Sequence, residues 1–301
     1  MSDALARVED DGSPAQRNTI SNTLLGAILL TQPFETLVLQ ALPATLFMVV
    51  ANPSGDPLGW LTLFLAVSFV YASIGALNDY CDFDLDRTAK PLKPLVRGLA
   101  TPRFALWLTV IFGVIGLWLS IELNWITAGF SALTLALGYW YDFRAKRSLL
   151  SWVPFAIAIP SLPLWGFAAA GKFQRELLLA YPLGALLSVG LNMSNTLPDR
   201  EADAAFGLRA LTHRLTQSQA VLLTWALFAG AIAGFAAFAP VLRNEWKILG
   251  PGLAVGAFIL AVMMADYGVA RSTRSLRRCF KMSGILAIVV GLSWVASLPR
   301  T

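Results

Sequence analysis

Charge, cysteine and histidine are all scarce in this chain. Its 301 residues hold two cysteines and one histidine, and charged side chains make up 14% of the total. Cys81 and Cys279, at unrelated positions, supply neither a disulfide framework nor a metal-ligand spacing. His213 lies in a basic loop and reads as a surface or phosphate-side residue rather than a metal ligand or a base. Residues 1–21 carry no apolar run, but do carry Asp3, Glu9, Asp10 and Asp11, which excludes a cleavable signal peptide and predicts a polar tail. A soluble domain has about 25% charged residues, so the low charge excludes that class.

What takes the place of charge is apolar surface: 56% of the side chains are hydrophobic and the mean hydropathy is +0.63. An all-α polytopic membrane bundle is the expected fold, because about 20 helical residues cross a ~30 Å hydrocarbon core. Nine such runs can be placed, over 22–50, 58–79, 103–121, 123–141, 149–170, 177–198, 218–240, 247–269 and 279–298. The first is overlong and interrupted by Pro33 and Pro43. Lys and Arg are retained on the cytoplasmic side of a membrane. With the N-terminus inside, the cytoplasmic segments hold two basic residues in 1–21, five in 80–103, three in 142–148, three in 199–217 and five in 270–281. That is eighteen of the 23, against five on the other side, which predicts an inside N-terminus and an outside C-terminus. The net charge of +5 restates this bias and calls for membrane lipid, not nucleic acid.

Two polar rows break the apolar pattern. Asn78, Asp82 and Asp86 in NDYCDFDLD match Asn195, Asp199 and Asp203 in NTLPDREAD position for position. Steps of four residues keep each set on one helix face, with a drift of about 40° per step. Unpaired carboxylates at this spacing repel one another, and at a helix C-terminus they also oppose the helix dipole. Each row therefore predicts a cation. A single row is equally well read as solvated charge paired with Arg87 or Arg200; two matching rows favour a site. They end the second and sixth runs, which suggests two similar four-helix halves plus a ninth helix, in one domain over 22–301, around a cavity open to the cytoplasm. Carboxylates and amide oxygens of both rows would then surround one space, a hard-oxygen environment suited to Mg2+. Asp79 adjoins the first row and is expected at the cavity edge, whereas Asp84 and Glu201 point away. Asp266 is expected to pair with Arg271 or Arg274. Bases follow each row: Lys90, Lys93 and Arg97 after the first, Arg209 and Arg214 after the second, with Arg144, Lys146 and Arg147 between. Metal with basic loops suits a diphosphate.

These segments resemble the UbiA superfamily of intramembrane prenyltransferases. Its first signature, NDxxDxxxD, stands as Asn78, Asp79, Asp82 and Asp86, and is followed by a basic, proline-containing loop, KPLKPLVRG. The second is matched by Asn195, Asp199 and Asp203, with Asn195 where many members have Asp and with Pro198 before Asp199. YDFRAKRS is similar to the family's tyrosine-then-basic pattern. The resemblance implies Mg2+-dependent transfer of a prenyl group from an isoprenoid diphosphate to a lipophilic acceptor, aromatic or quinone-precursor in type. It implies metal ligation by Asp79, Asp82, Asp86, Asn195, Asp199 and Asp203, and diphosphate binding by Asn78, Lys90, Lys93, Arg97, Lys146 and Asn195. Two rivals are a terpene cyclase of the same superfamily, which needs no acceptor, and a cation transporter using the acidic rows as its path.

Overall fold

A computed structural model describes residues 20–172, 176–179, 181–205, 211–241 and 243–298. Among them the chain is helical and forms no strand, as it must where hydrocarbon offers the backbone no hydrogen-bonding partner. In order, the helices are α1 (Ile20–Leu30), a π-helical segment (Phe34–Ala41), α2 (Leu42–Ala51), α3 (Pro57–Cys81), α4 (Phe83–Ala89), α5 (Pro102–Leu123) and α6 (Trp125–Phe143). There follow α7 (Val153–Ala158), α8 (Ser161–Ala169), α9 (Glu176–Leu179), α10 (Tyr181–Thr196), α11 (Arg200–Ala205), α12 (Gln217–Phe238), α13 (Trp246–Ala270) and α14 (Thr273–Ala296). Six segments are long and apolar enough to cross a membrane: Phe34–Ala51, Pro57–Cys81, Pro102–Leu123, Gln217–Phe238, Trp246–Gly268 and Thr273–Ala296. The protein is an integral, multi-pass membrane protein. The fourth, fifth and sixth expected runs are helical too, but fall short in length or hydropathy.

Proline explains where expectation and structure part. The first run, 22–50, is not one span. It breaks at Gln32, whose φ is +47°, and Pro33, leaving α1 as a separate helix. Pro33 and Pro43 bracket the π-helical segment; Pro43 has no N–H to give and its ring needs space near the Leu39 carbonyl, which a wider turn provides. Pro160 splits the fifth run into α7 and α8. Helix starts are capped from the sequence: Asp56, Thr101, Asn124, Thr216 and Ser272 each accept a backbone N–H of the first turn.

Lipid gives helices little reason to associate beyond close packing and polar ties. Gly116 brings α5 onto α3, where an added Cβ would lie 2.9 Å from the Val70 nitrogen; Gly166 brings α8 onto α2, 2.6 Å from the Ala44 carbonyl oxygen. Ser73 of α3 donates to the Thr109 carbonyl of α5 and shares a 2.7 Å hydroxyl contact with Tyr139 of α6. The main core gathers Phe47, Trp165, Phe228, Phe235 and Trp294. Two smaller clusters sit behind the polar rows. Leu30, Ala76, Leu95, Ala100 and Ala105 fasten α1 and the 95–100 loop to α3 and α5, and Met193, Leu197, Val221 and Leu276 back the second row.

Candidate active site

The first row is carried by the end of α3 and by α4, with a kink at Asp82, whose φ and ψ are −98° and 5°. The second runs from α10 through a 3-10 turn, Leu197–Asp199, because Pro198 cannot donate to a continuing α-helix. The rows meet across one lysine. Lys90 Nζ is 2.8 Å from Asp199 Oδ2 and 3.9 Å from Asp86 Oδ1. Lys146 Nζ is 2.6 Å from Asp82 Oδ1 and 3.6 Å from Asp142 Oδ1, and Lys93 donates to Asp79 Oδ1 at 2.5 Å. Asn78, Asp82, Lys90, Lys93, Lys146, Asn195 and Asp199 all line a single cavity of about 400 Å³. Its remaining wall includes Leu39, Tyr71, Ile74, Leu137, Tyr141, Phe155 and Phe280. A second, apolar space of about 80 Å³ shares Leu39, Gln40, Ile159 and Leu191 with it and reaches Phe235 and Trp294.

Several expectations change. Asp79 and Asp86 are set back from the cavity surface; both are 2% exposed and lie behind the cavity-lining Lys93 and Lys90. Burial pushes the Asp86 carboxyl up to about 6, with Lys93 and Lys90 opposing the rise. Arg97 is exposed and outside the cavity: the 91–100 loop buries Pro94, Leu95 and Leu99, and the chain turns back at Gly98 with φ +68°, leaving Arg97 to solvent. Asp266 pairs with Arg278, not Arg271 or Arg274, since α14 runs back along α13. Among the described residues neither arginine next to a row pairs with it. Arg87 lies over the Phe83 ring and Arg200 donates to the Leu215 carbonyl. His213 Nε2 meets the Arg200 carbonyl oxygen, a role in the fold of the loop. Asp84 and Glu201 are exposed, as their positions predict. The Asp203 side chain and Arg209 lie outside what the structure describes.

Four residues went unread in the sequence. Gln32 donates to Asp79 Oδ1 at 3.0 Å from beyond the first break, and Glu35 lines the cavity. Arg277 reaches Asp199 from α14 at 3.3 Å. Asp142, 2% exposed, accepts from Asn78 Nδ2 at 2.8 Å. Of these, Asp142 alone left a signal, its spacing of four from Lys146.

Among the described residues no three carboxylates, thiols or imidazoles form a ready-made metal cage. Mg2+ needs none, since it takes one or two carboxylates and fills its shell with water and substrate phosphates. The donors here fit that mode. Asp79 Oδ2 and Asp86 Oδ1 are buried with no hydrogen-bond donor, and Asp82 and Asp199 face the cavity with only lysine and arginine as counter-charge.

The fold and the cavity define a class: a membrane-embedded helical bundle holding a carboxylate and lysine cluster at one end of an apolar chamber. Residues 38–285 match the model of the UbiA prenyltransferase family, and the chain belongs to that family. A digeranylgeranylglyceryl phosphate synthase of Pyrococcus furiosus is 26% identical over 264 residues, 86% of this chain and 92% of that protein. The synthase of that name from Thermococcus gammatolerans is 30% identical over 60% of this chain, which spans 65% of that relative's length. A 4-hydroxybenzoate octaprenyltransferase of Histophilus somni is 28% identical over 60% of this chain and 64% of its own length. Among solved structures, a UbiA homologue from Archaeoglobus fulgidus bound to GPP and Mg2+ has the same fold, with a TM-score of 0.71 over 90% of this chain and 99% of that one at 18% identity.

Proposed function

We propose that this protein transfers a prenyl group from an isoprenoid diphosphate to a lipophilic acceptor inside the membrane, with Mg2+. The observation that carries the reading is the meeting of both polar rows, through Lys90, at one end of a chamber whose other walls are apolar. The diphosphate would lie among Lys90, Lys93, Lys146, Asn78 and Asn195, with Asp82, Asp199, Asp79, Asp86 and Asp203 as the carboxylates available to the metal. Bound there, Mg2+ would supply electrophilic stabilisation of charge developing on the leaving diphosphate. The lysines add the same kind of stabilisation from fixed positions. Asn78, oriented by Asp142, sits at the carboxylate end of the chamber. Loss of diphosphate leaves an allylic cation, and the apolar wall excludes water that would quench it. The isoprenoid tail would lie along the apolar wall of the larger cavity, in the direction of the smaller apolar space lined by Phe235 and Trp294. An oxygen or an electron-rich ring carbon of the acceptor then attacks the cation and loses its proton, giving the prenylated acceptor, diphosphate and H+.

The relatives named above are transferases that use an acceptor, which favours transfer over cyclisation. They suggest two acceptor types, a prenylated glyceryl phosphate and a hydroxybenzoate. The test is diphosphate release by the purified protein with geranyl, farnesyl or geranylgeranyl diphosphate, with and without Mg2+ and each acceptor. Mg2+-dependent release that needs an acceptor is expected; a terpene formed without one would make the protein a cyclase.

We also propose nine crossings, an inside N-terminus and a cytoplasmic site. The distribution of basic residues supports this, and so do the polar ties. Residues 82–93, 146, 199 and 277 meet at one end, whereas Asn124 binds the Ala168 carbonyl and Asn244 binds Ser297 elsewhere. The two-half organisation is supported by a shared order: a helix, the polar row, a short helix, and a 22-residue helix capped by Thr101 or Thr216.

A further inference from the structure

Asp142 is a carboxylate in the cavity wall that neither polar row supplies and that two site residues, Asn78 and Lys146, already share. It ends α6, is 2% exposed, accepts a hydrogen bond from Asn78 and lies 3.6 Å from Lys146 Nζ through the same oxygen, Oδ1. Its other oxygen, Oδ2, is buried without a hydrogen-bond donor. Lys146 is 6% exposed, so its ammonium relies on the carboxylates beside it for counter-charge. Its nearer partner is Asp82, at 2.6 Å, the cavity carboxylate most directly in line to be taken by a metal and diphosphate. A buried ammonium stripped of its carboxylate is left as an uncompensated charge, which opposes the ligand that strips it.

We propose that Asp142 is a positioning residue, the second anchor of Lys146, which holds the ammonium in the cavity when Asp82 is given over to the metal. The inference rests on the prenyltransfer reading and adds a role that the polar rows do not imply. With Asp142 present, Lys146 moves from one carboxylate to the other and continues to face the diphosphate. Without it, Lys146 has Asp82 alone and competes with the metal for that carboxylate.

The experiment measures metal binding, not turnover. Mn2+ binding is followed by electron paramagnetic resonance in the presence of geranyl S-thiolodiphosphate, a donor analogue resistant to ionisation, for the wild type, Asp142→Asn, Asp142→Glu, Lys146→Met and the double variant Asp142→Asn/Lys146→Met. Asp142→Asn should weaken Mn2+ about tenfold, the usual scale for a group that orients a metal's surroundings. Asp142→Glu should restore most of the loss. Lys146→Met removes a diphosphate contact together with the competitor for Asp82, so it sets its own reference, and the double variant should stay within twofold of Lys146→Met, because the group that Asp142 anchors is gone. Asp142→Asn within twofold of wild type overturns the proposal. So does a further tenfold loss on going from Lys146→Met to the double variant, which is the signature of a direct ligand or of a folding defect. Absence of Mn2+ binding in the wild type overturns the metal reading of the site and this proposal with it.

Discussion

Asp82 and Asp199 are the residues on which each polar row stands or falls, since both face the cavity and are held by long cationic side chains rather than by the core. Substitution of either by Ala should reduce Mg2+-dependent diphosphate release by at least a hundredfold, about 2.7 kcal/mol of transition-state stabilisation, while detergent melting temperature changes little. Exposed Asp84 and Glu201 should tolerate Ala with activity within twofold. Arg97→Ala should do the same, although its place in KPLKPLVRG marks it as a phosphate contact. The sequence lists Lys90, Lys93 and Arg97 as equivalent bases. Three buried residues of the loop, Pro94, Leu95 and Leu99, decide which of them face inward.

At the scale of elements, the loops that carry the lysines are held by close backbone contact. Gly26 of α1 lies against the 95–100 loop, and a Cβ there would come within 2.5 Å of the Leu99 carbonyl oxygen. Gly26→Val should therefore push α1 off that loop, loosening Lys93 and raising KM for the diphosphate severalfold with a smaller effect on kcat. Gly166→Leu acts on the bundle itself. It forces α8 from α2, and overpacking of this kind costs about 1–3 kcal/mol, so thermal stability in detergent should fall while the site residues are untouched. Helix caps such as Thr101 and Thr216 can be read from sequence because capping depends on neighbours three residues away. The separation of α1 from the Phe34–Ala51 segment could not be read so directly, because Pro33 in an apolar run is compatible with a kinked span or with two helices.

For the whole molecule, the decisive quantity is which side of the membrane the site faces. α3 has 25 residues, a rise of about 37 Å, so Ser54 before it and Asp84 after it lie at opposite membrane faces. With Cys81 and Cys279 replaced by Ser, a cysteine at position 84 should react with an impermeant maleimide only from the cytoplasmic side, and one at position 54 only from the other. The reverse pattern would invert the orientation drawn from the basic residues.

Composition and spacing by themselves determined a helical membrane protein, the approximate position of each apolar segment, and two acidic rows followed by bases. These follow from local rules: hydrocarbon thickness sets run length, and a 3.6-residue turn sets which side chains share a face. Only the tertiary structure decided that Asp79 and Asp86 sit behind lysines, that Gln32, Asp142 and Arg277 join the site, and that Lys90 lies between the rows. Apart from Lys90 and Asp86, four positions apart, those contacts join residues from 14 to 109 positions apart. Local patterns carry no information about such distances; the packing of α3, α6, α10 and α14 around one cavity does.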